Sequence, residues 1–166
     1  MIINYDYEKA NKILNDFYNA TGINMVLLKS DFTPLTDRFH WDKNAYCKAI
    51  QATCEGKKMC LMSDSYILKE CREKKTSVPH VCHAGLIDVA VPIIFEDAVI
   101  GYIMFGQIRS DISFKNVRNH IVKLGVNPAD AEKLYSEIRY KLKQCSENAE
   151  ESIKRFVLLY GKALRN

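Results

Sequence analysis

Residues Val78 to Ile108, VPHVCHAGLIDVAVPIIFEDAVIGYIMFGQI, set a Cys-His pair directly ahead of a long apolar β-hairpin. Ile87, Val89, Val91, Ile93 and Phe95 alternate as one side of a half-buried strand, and Glu96-Asp97 separates them from a second strand running from Val99 to Ile108. A chain with this segment has to bury a sheet, and it brings soft ligand chemistry to that sheet's edge. Upstream, Cys47, Cys54, Cys60 and Cys71 lie in two helical stretches that can fold back over it.

The 166 residues suit one domain, 1–166, large enough to form a core without structural disulfides. With 48% apolar residues and both charge signs interspersed, intrinsic disorder is excluded as a description. A net charge of +4 with no block of basic residues predicts solubility and gives no ground for direct nucleic-acid binding. No apolar run reaches the roughly 18 to 20 residues that span a bilayer, and the N-terminus lacks a signal-like core, so a cytoplasmic address is expected. In that compartment six cysteines are thiols, metal ligands or redox groups rather than structural bridges.

Residues 7–18 carry apolar positions at helical spacing, with Asp6 as N-cap and Gly22 as terminator. Asn24 to Lys29 is a short strand, and Phe32 to Leu35, with its proline, is expected to complete an opening hairpin as an edge strand. Residues 42–54 and 57–74 read as two helices separated at Gly56. Steps of seven and eleven residues put Cys47 with Cys54, and Cys60 with Cys71, on common helix faces, and Asp64 follows Cys60 by one turn. Ser113 is placed to cap a helix ending at Gly125, and Asn127-Pro128 opens another. A last helix begins near Ser146. Its positions Ala149, Ile153, Phe156, Tyr160 and Ala163 are spaced 4-3-4-3, which suits either a core-facing stripe or the seam of a homodimer. The order of elements fits an α+β domain with an antiparallel sheet, flanking helices and a C-terminal helix.

Cys47, the Gly56 to Cys60 step, Asp64, the run Cys82-His83-Ala84-Gly85-Leu86, Ala90-Val91-Pro92-Ile93, Gly101 and Gly106-Gln107 together resemble the PocR sensory domain, over roughly residues 5 to 165. The resemblance implies a PAS-like fold and a non-enzymatic sensor of small hydrocarbon derivatives, such as short diols, joined to an output domain or partner chain. It departs from the family pattern at Glu96-Asp97, where a glycine is expected.

The side chains expected to face a ligand are Cys47, Cys60, Asp64, Cys82, His83, Tyr102 and Gln107. Gln107 is a polar residue ending an apolar strand and suits a ligand hydroxyl, whereas Tyr102 and Met104 serve equally well as core. Cys47, Cys60, Cys82 and His83 can alternatively hold zinc or iron. Their spacings of 13, 22 and 1 contain no CxxC knuckle, and neighbours such as Cys82 and His83 diverge unless the backbone bends at Gly85. Cys54, Cys71 and Cys145 read as packing or surface residues. A Cys-His nucleophile needs a third group, for which Asp64 or Asp88 is available, but no oxyanion hole or nucleophile elbow is evident. His40, His80 and His120 have no supporting context. Gly101 and Gly106 suit close packing or a bulge rather than a phosphate loop.

Overall fold

The computed structural model describes residues 6–36, 44–138 and 151–155. Helix α1 (Tyr7–Thr21) begins where the Asp6 carboxylate accepts from Lys9 N at 3.0 Å, and it stops at Gly22, whose φ is 68°. Strand β1 (Asn24–Lys29) follows. The expected return strand at Phe32 to Leu35 is reduced to an isolated bridge between Leu28 and Pro34, because proline has no N–H with which to extend a ladder.

Helices α2 (Ala45–Gln51) and α3 (Cys54–Lys74) break at Ala52 and Thr53, not at Gly56. Thr53 Oγ1 accepts from Gly56 N at 3.0 Å, so the threonine caps α3 and the glycine falls inside its first turn. A Cβ there would stand 2.6 Å from Thr53 Oγ1 and closer still to the Ile50 carbonyl oxygen.

Beyond α3 the short strand β2 (Val78–Val81), which periodicity did not reveal, pairs with β3 (Leu86–Phe95). Strand β3 pairs with β4 (Ala98–Arg109), and β4 with β1. Among the described residues this is a four-stranded antiparallel sheet in the order β1-β4-β3-β2. The β3–β4 register shifts twice, between Ile87 and Val89 and between Ile93 and Ile94, near the two glycines Gly106 and Gly101. Gly106 thus lies within the first bulge, opposite Asp88, and Gly101, paired with Ile93, flanks the second.

Glu96 and Asp97 both take positive φ, 45° and 65°, which makes the β3–β4 connection a tight turn of the type that favours Asn-Gly. Replacing the pair by Asn-Gly is expected to stabilise the chain by about 1 kcal/mol, raising Tm by roughly 2 to 4 °C in a scanning melt. An unchanged Tm would mean that the Lys75 Nζ bond to Asp97 O, at 2.7 Å, holds the turn regardless of residue type.

One-sided alternation fails in mid-strand, where Val89, Ala90 and Val91 are all buried. The reason is a helix on each face. Ile67, Leu68 and Cys71 of α3 pack on Ala90, Tyr102 and Met104. Leu14, Ile23 and Ile153 cover Val89, Val91, Ile103 and Phe105 on the other side. A third cluster closes one end of the sheet: Tyr46 and Ile50 of α2, Ala84, Leu86, Phe114 and Ile121 of α4 (Phe114–Lys123), and Tyr135 of α5 (Pro128–Glu137). Asn127 Oδ1 caps α5 as expected, whereas Ser113 occupies the N-cap of α4 without a capping hydrogen bond.

This is the α+β, PAS-like arrangement of an open antiparallel sheet with flanking helices. Of the C-terminal stripe only Ile153 is described: residues 151–155 are helical, and Ile153, 4% exposed, packs into the chain's own core. Ala149, Phe156, Tyr160, Ala163, Cys145 and His40 lie outside the described residues. Among the described residues no helix is long and apolar enough to cross a membrane.

Candidate functional site

The Cys82-His83 pair sits in the turn between β2 and β3. Cys82 N donates to Leu86 O at 2.8 Å and Gly85 N to Cys82 O at 2.9 Å, with Gly85 at φ 82°, so the backbone does bend at Gly85. Three side chains anchor this turn by its carbonyls: Tyr46 Oη donates to Ala84 O at 3.0 Å, and Ser110 Oγ and Tyr135 Oη to Gly85 O at 2.6 and 3.3 Å.

His83 reaches α3 and α4 together. Cys60 Sγ lies 3.3 Å from His83 Nε2, and His83 Nδ1 lies 2.9 Å from His120 Nε2. Burial, then His120, lowers His83 to about 4, while burial, then Asp64 and Asp88, raises Cys60 to about 11 against an opposing hydrogen bond from Gln51. Both groups are neutral at pH 7. Both ring nitrogens of His83 are thereby engaged, Nε2 by the thiol and Nδ1 by His120, with the donor in each pair set by the tautomer.

Cys47 and Cys82 pack against the same closing cluster as Cys60. Burial pushes Cys82 up to about 12, with Asp88 adding to the rise and the Leu86 and Ala84 amides opposing it. Cys47 is raised well above the ordinary thiol range by burial, then by Asp88, Cys82, Cys60 and Asp64. Asp88 belongs to the same group. It occupies the β3 side of the bulge opposite Gly106 and Gln107, and its Oδ1 accepts from Gln107 N at 3.0 Å. Burial, then Asp64, raises it to about 7.

Thus Cys47, Cys60, Cys82, His83 and Asp64 are brought to one end of the fold, and His120 and Asp88 join them. Sequence reasoning set His120 aside, although its place three residues after Val117 and one before buried Ile121 puts it on the inward stripe of α4. The other two expected residues lie elsewhere. Tyr102 is fully buried on α3, its Oη accepting from Arg72 Nε at 3.1 Å, so it is core. Gln107 turns its side chain to Asn24, whose Nδ2 donates to Gln107 Oε1 at 2.6 Å.

The expected metal set does not assemble: among the described residues no three His, Cys, Asp or Glu side chains are grouped so as to hold an ion. The cause is the turn, which commits His83 to Cys60 and His120 while Cys82 faces the Leu86 and Ala84 amides and Asp88. Cys71, with its Sγ donating to Ala90 O at 3.6 Å, and exposed Cys54 are the packing and surface residues their context suggested.

The profile of the family described as the sensory domain found in PocR matches residues 5–161. The chain belongs to the PocR sensory domain family. A relative of this PocR domain, the regulatory protein PocR of Salmonella typhimurium (strain LT2), is 27% identical over 114 residues, covering 68% of this chain and 37% of that protein. The chain thus corresponds to well under half of that regulator's length. No solved structure matches it.

Proposed function

We propose that residues 1–166 act as one cytoplasmic ligand-sensing unit of a regulator. It binds a small uncharged hydrocarbon derivative, such as a short diol, beside Cys47, Cys60, Asp64, Cys82 and His83, and passes occupancy to an attached output domain or partner chain. The observation that supports this reading is a contact between two uncharged, half-buried groups: the Cys60 thiol lies 3.3 Å from the His83 imidazole, and such a pair offers hydrogen bonds that suit an alcohol better than an ion. The same neutrality argues against catalysis. A nucleophilic cysteine needs a lowered pKa or a base that can hold its proton, and Cys60 beside His83 has neither.

The test is thermal melting with ethylene glycol and propylene glycol as probes, together with metal analysis of anaerobically purified protein. Binding is expected to raise Tm, with affinity about tenfold weaker in Cys60→Ala and His83→Ala, which each lose one buried hydrogen-bonding group. Far-ultraviolet circular dichroism of both variants should match the wild type. Indifference to both diols, together with zinc or iron near one per chain, would replace this reading with a metal-responsive one.

A further inference from the structure

Beside the β4 bulge, between the C-terminal end of α1, the start of β1 and the end of α5, lies a cavity of about 520 Å³. Asn24 lines it and is only 7% exposed. With its Nδ2 committed to Gln107 Oε1, its Oδ1 is buried and has no hydrogen-bond partner among the described residues. A bare buried acceptor carries the full cost of its lost hydration unless something donates to it. Gln107 holds the amide in place from a backbone at φ 59°, a left-handed conformation that a non-glycine residue adopts at some cost.

The lining defines what can donate. Among the described residues the lining contains no lysine or arginine to pair with an anion, and its one carboxylate, Glu137, is exposed. Otherwise it offers amides, with Asn19 joining Asn24 and Gln107, and the rings of Tyr18 and Tyr46. Amides and aromatic faces suit a neutral ligand that carries several hydroxyls. The volume falls within the range of about 300 to 1,000 Å³ typical of small-molecule pockets, and a three-carbon diol would leave most of it empty.

We propose that this cavity binds a neutral polyhydroxy compound about the size of a sugar ring, with one hydroxyl donating to Asn24 Oδ1 and Gln107 fixing the carboxamide. A hydroxyl both donates and accepts, so it also serves the arrangement in which the two amides are turned over together. The site adjoins the thiol cluster through Gln107 and Tyr46, and the two are tested apart.

Glucose and myo-inositol are the probes, read by calorimetry and by Tm on the full chain. Wild-type protein is expected to bind at least one of them. Asn24→Leu should weaken that binding about tenfold or more, the cost of one hydrogen bond to a buried acceptor, and should leave the propylene glycol response unaltered. Asn19→Trp, at an exposed position on the rim, should block the cavity without touching the core, and it carries the test if Asn24→Leu does not fold. Failure of wild type to bind either sugar-sized polyol, or undiminished binding in the folded variants, overturns the proposal and leaves the diol reading standing. Glucose binding without any diol response does the reverse.

Discussion

Gly106→Ala is expected to destabilise the chain by about 3 kcal/mol or more, lowering Tm by roughly 6 to 12 °C. An added Cβ would stand 2.7 Å from Asp88 Cγ and 2.9 Å from Asp88 Cα, with Oδ1 closer still. Neither partner can retreat cheaply. The carboxyl is tied to Gln107 N at 3.0 Å, and the Asp88 backbone belongs to a strand paired on both sides. Removing the carboxyl by Asp88→Ala takes away the Cγ clash but not the Cα one, so the alanine at position 106 should cost less in that background without becoming neutral. A double-mutant cycle by urea unfolding is expected to show coupling of about 1 kcal/mol or more. A Gly106→Ala chain within about 0.5 kcal/mol of wild type would mean that the bulge yields freely and that the glycine is not there for the carboxyl.

That glycine illustrates which parts of the molecule can be read from sequence. Asp6 with Gly22, and Asn127 with Pro128, are local devices whose effect is exhausted within a turn of helix, and the ends of α1 and α5 follow from them. The α2–α3 break offers two such devices three residues apart, and periodicity alone favours the wrong one; the Thr53 cap prevails because it supplies a hydrogen bond that Gly56 cannot. Gly106 signalled a bulge, but its reason, the Asp88 carboxyl across the ladder, depends on register.

The candidate site was legible on the same terms. Cys60 and Asp64 share a helix face by spacing, and the bend after Cys82 and His83 is signalled by Gly85. The contact of His83 with His120 joins residues 37 apart and depends on how α4 docks, which no local pattern encodes. The surroundings of Tyr102 are hidden from sequence for a similar reason. Its face of β4 is covered by α3, so an apparently ligand-lining aromatic is packed core with its hydroxyl taken by Arg72.

Between about pH 4 and 7 the wild-type chain is expected to show only a shallow dependence of stability on pH, which becomes steep when either Asp88 or His83 is neutralised. Asp88 is raised from 3.8 to about 7 by burial and then Asp64. The folded state holds a proton that the unfolded chain releases, so this contribution is complete below about pH 4 and is lost as the pH rises through 7. His83 is lowered from 6.5 to about 4 by burial and then His120. Here the unfolded chain takes up a proton that the folded state refuses, so the contribution is complete above about pH 6.5 and is lost as the pH falls to 4. The upper limits are about 4 kcal/mol for Asp88 and about 3 kcal/mol for His83, with opposite signs over nearly the same window. His80, also lowered by burial, adds to the histidine side. Asp88→Asn keeps an acceptor for Gln107 N and removes the carboxyl titration. It should be more stable than wild type near pH 8 by up to about 4 kcal/mol and should lose stability steadily on acidification. His83→Gln should behave in the opposite sense, gaining stability from about pH 7 down to 4 as Asp88 protonates unopposed. Urea midpoints across that range decide it: if both variants retain the wild-type profile, the carboxyl and the imidazole are not buried together at this end of the sheet.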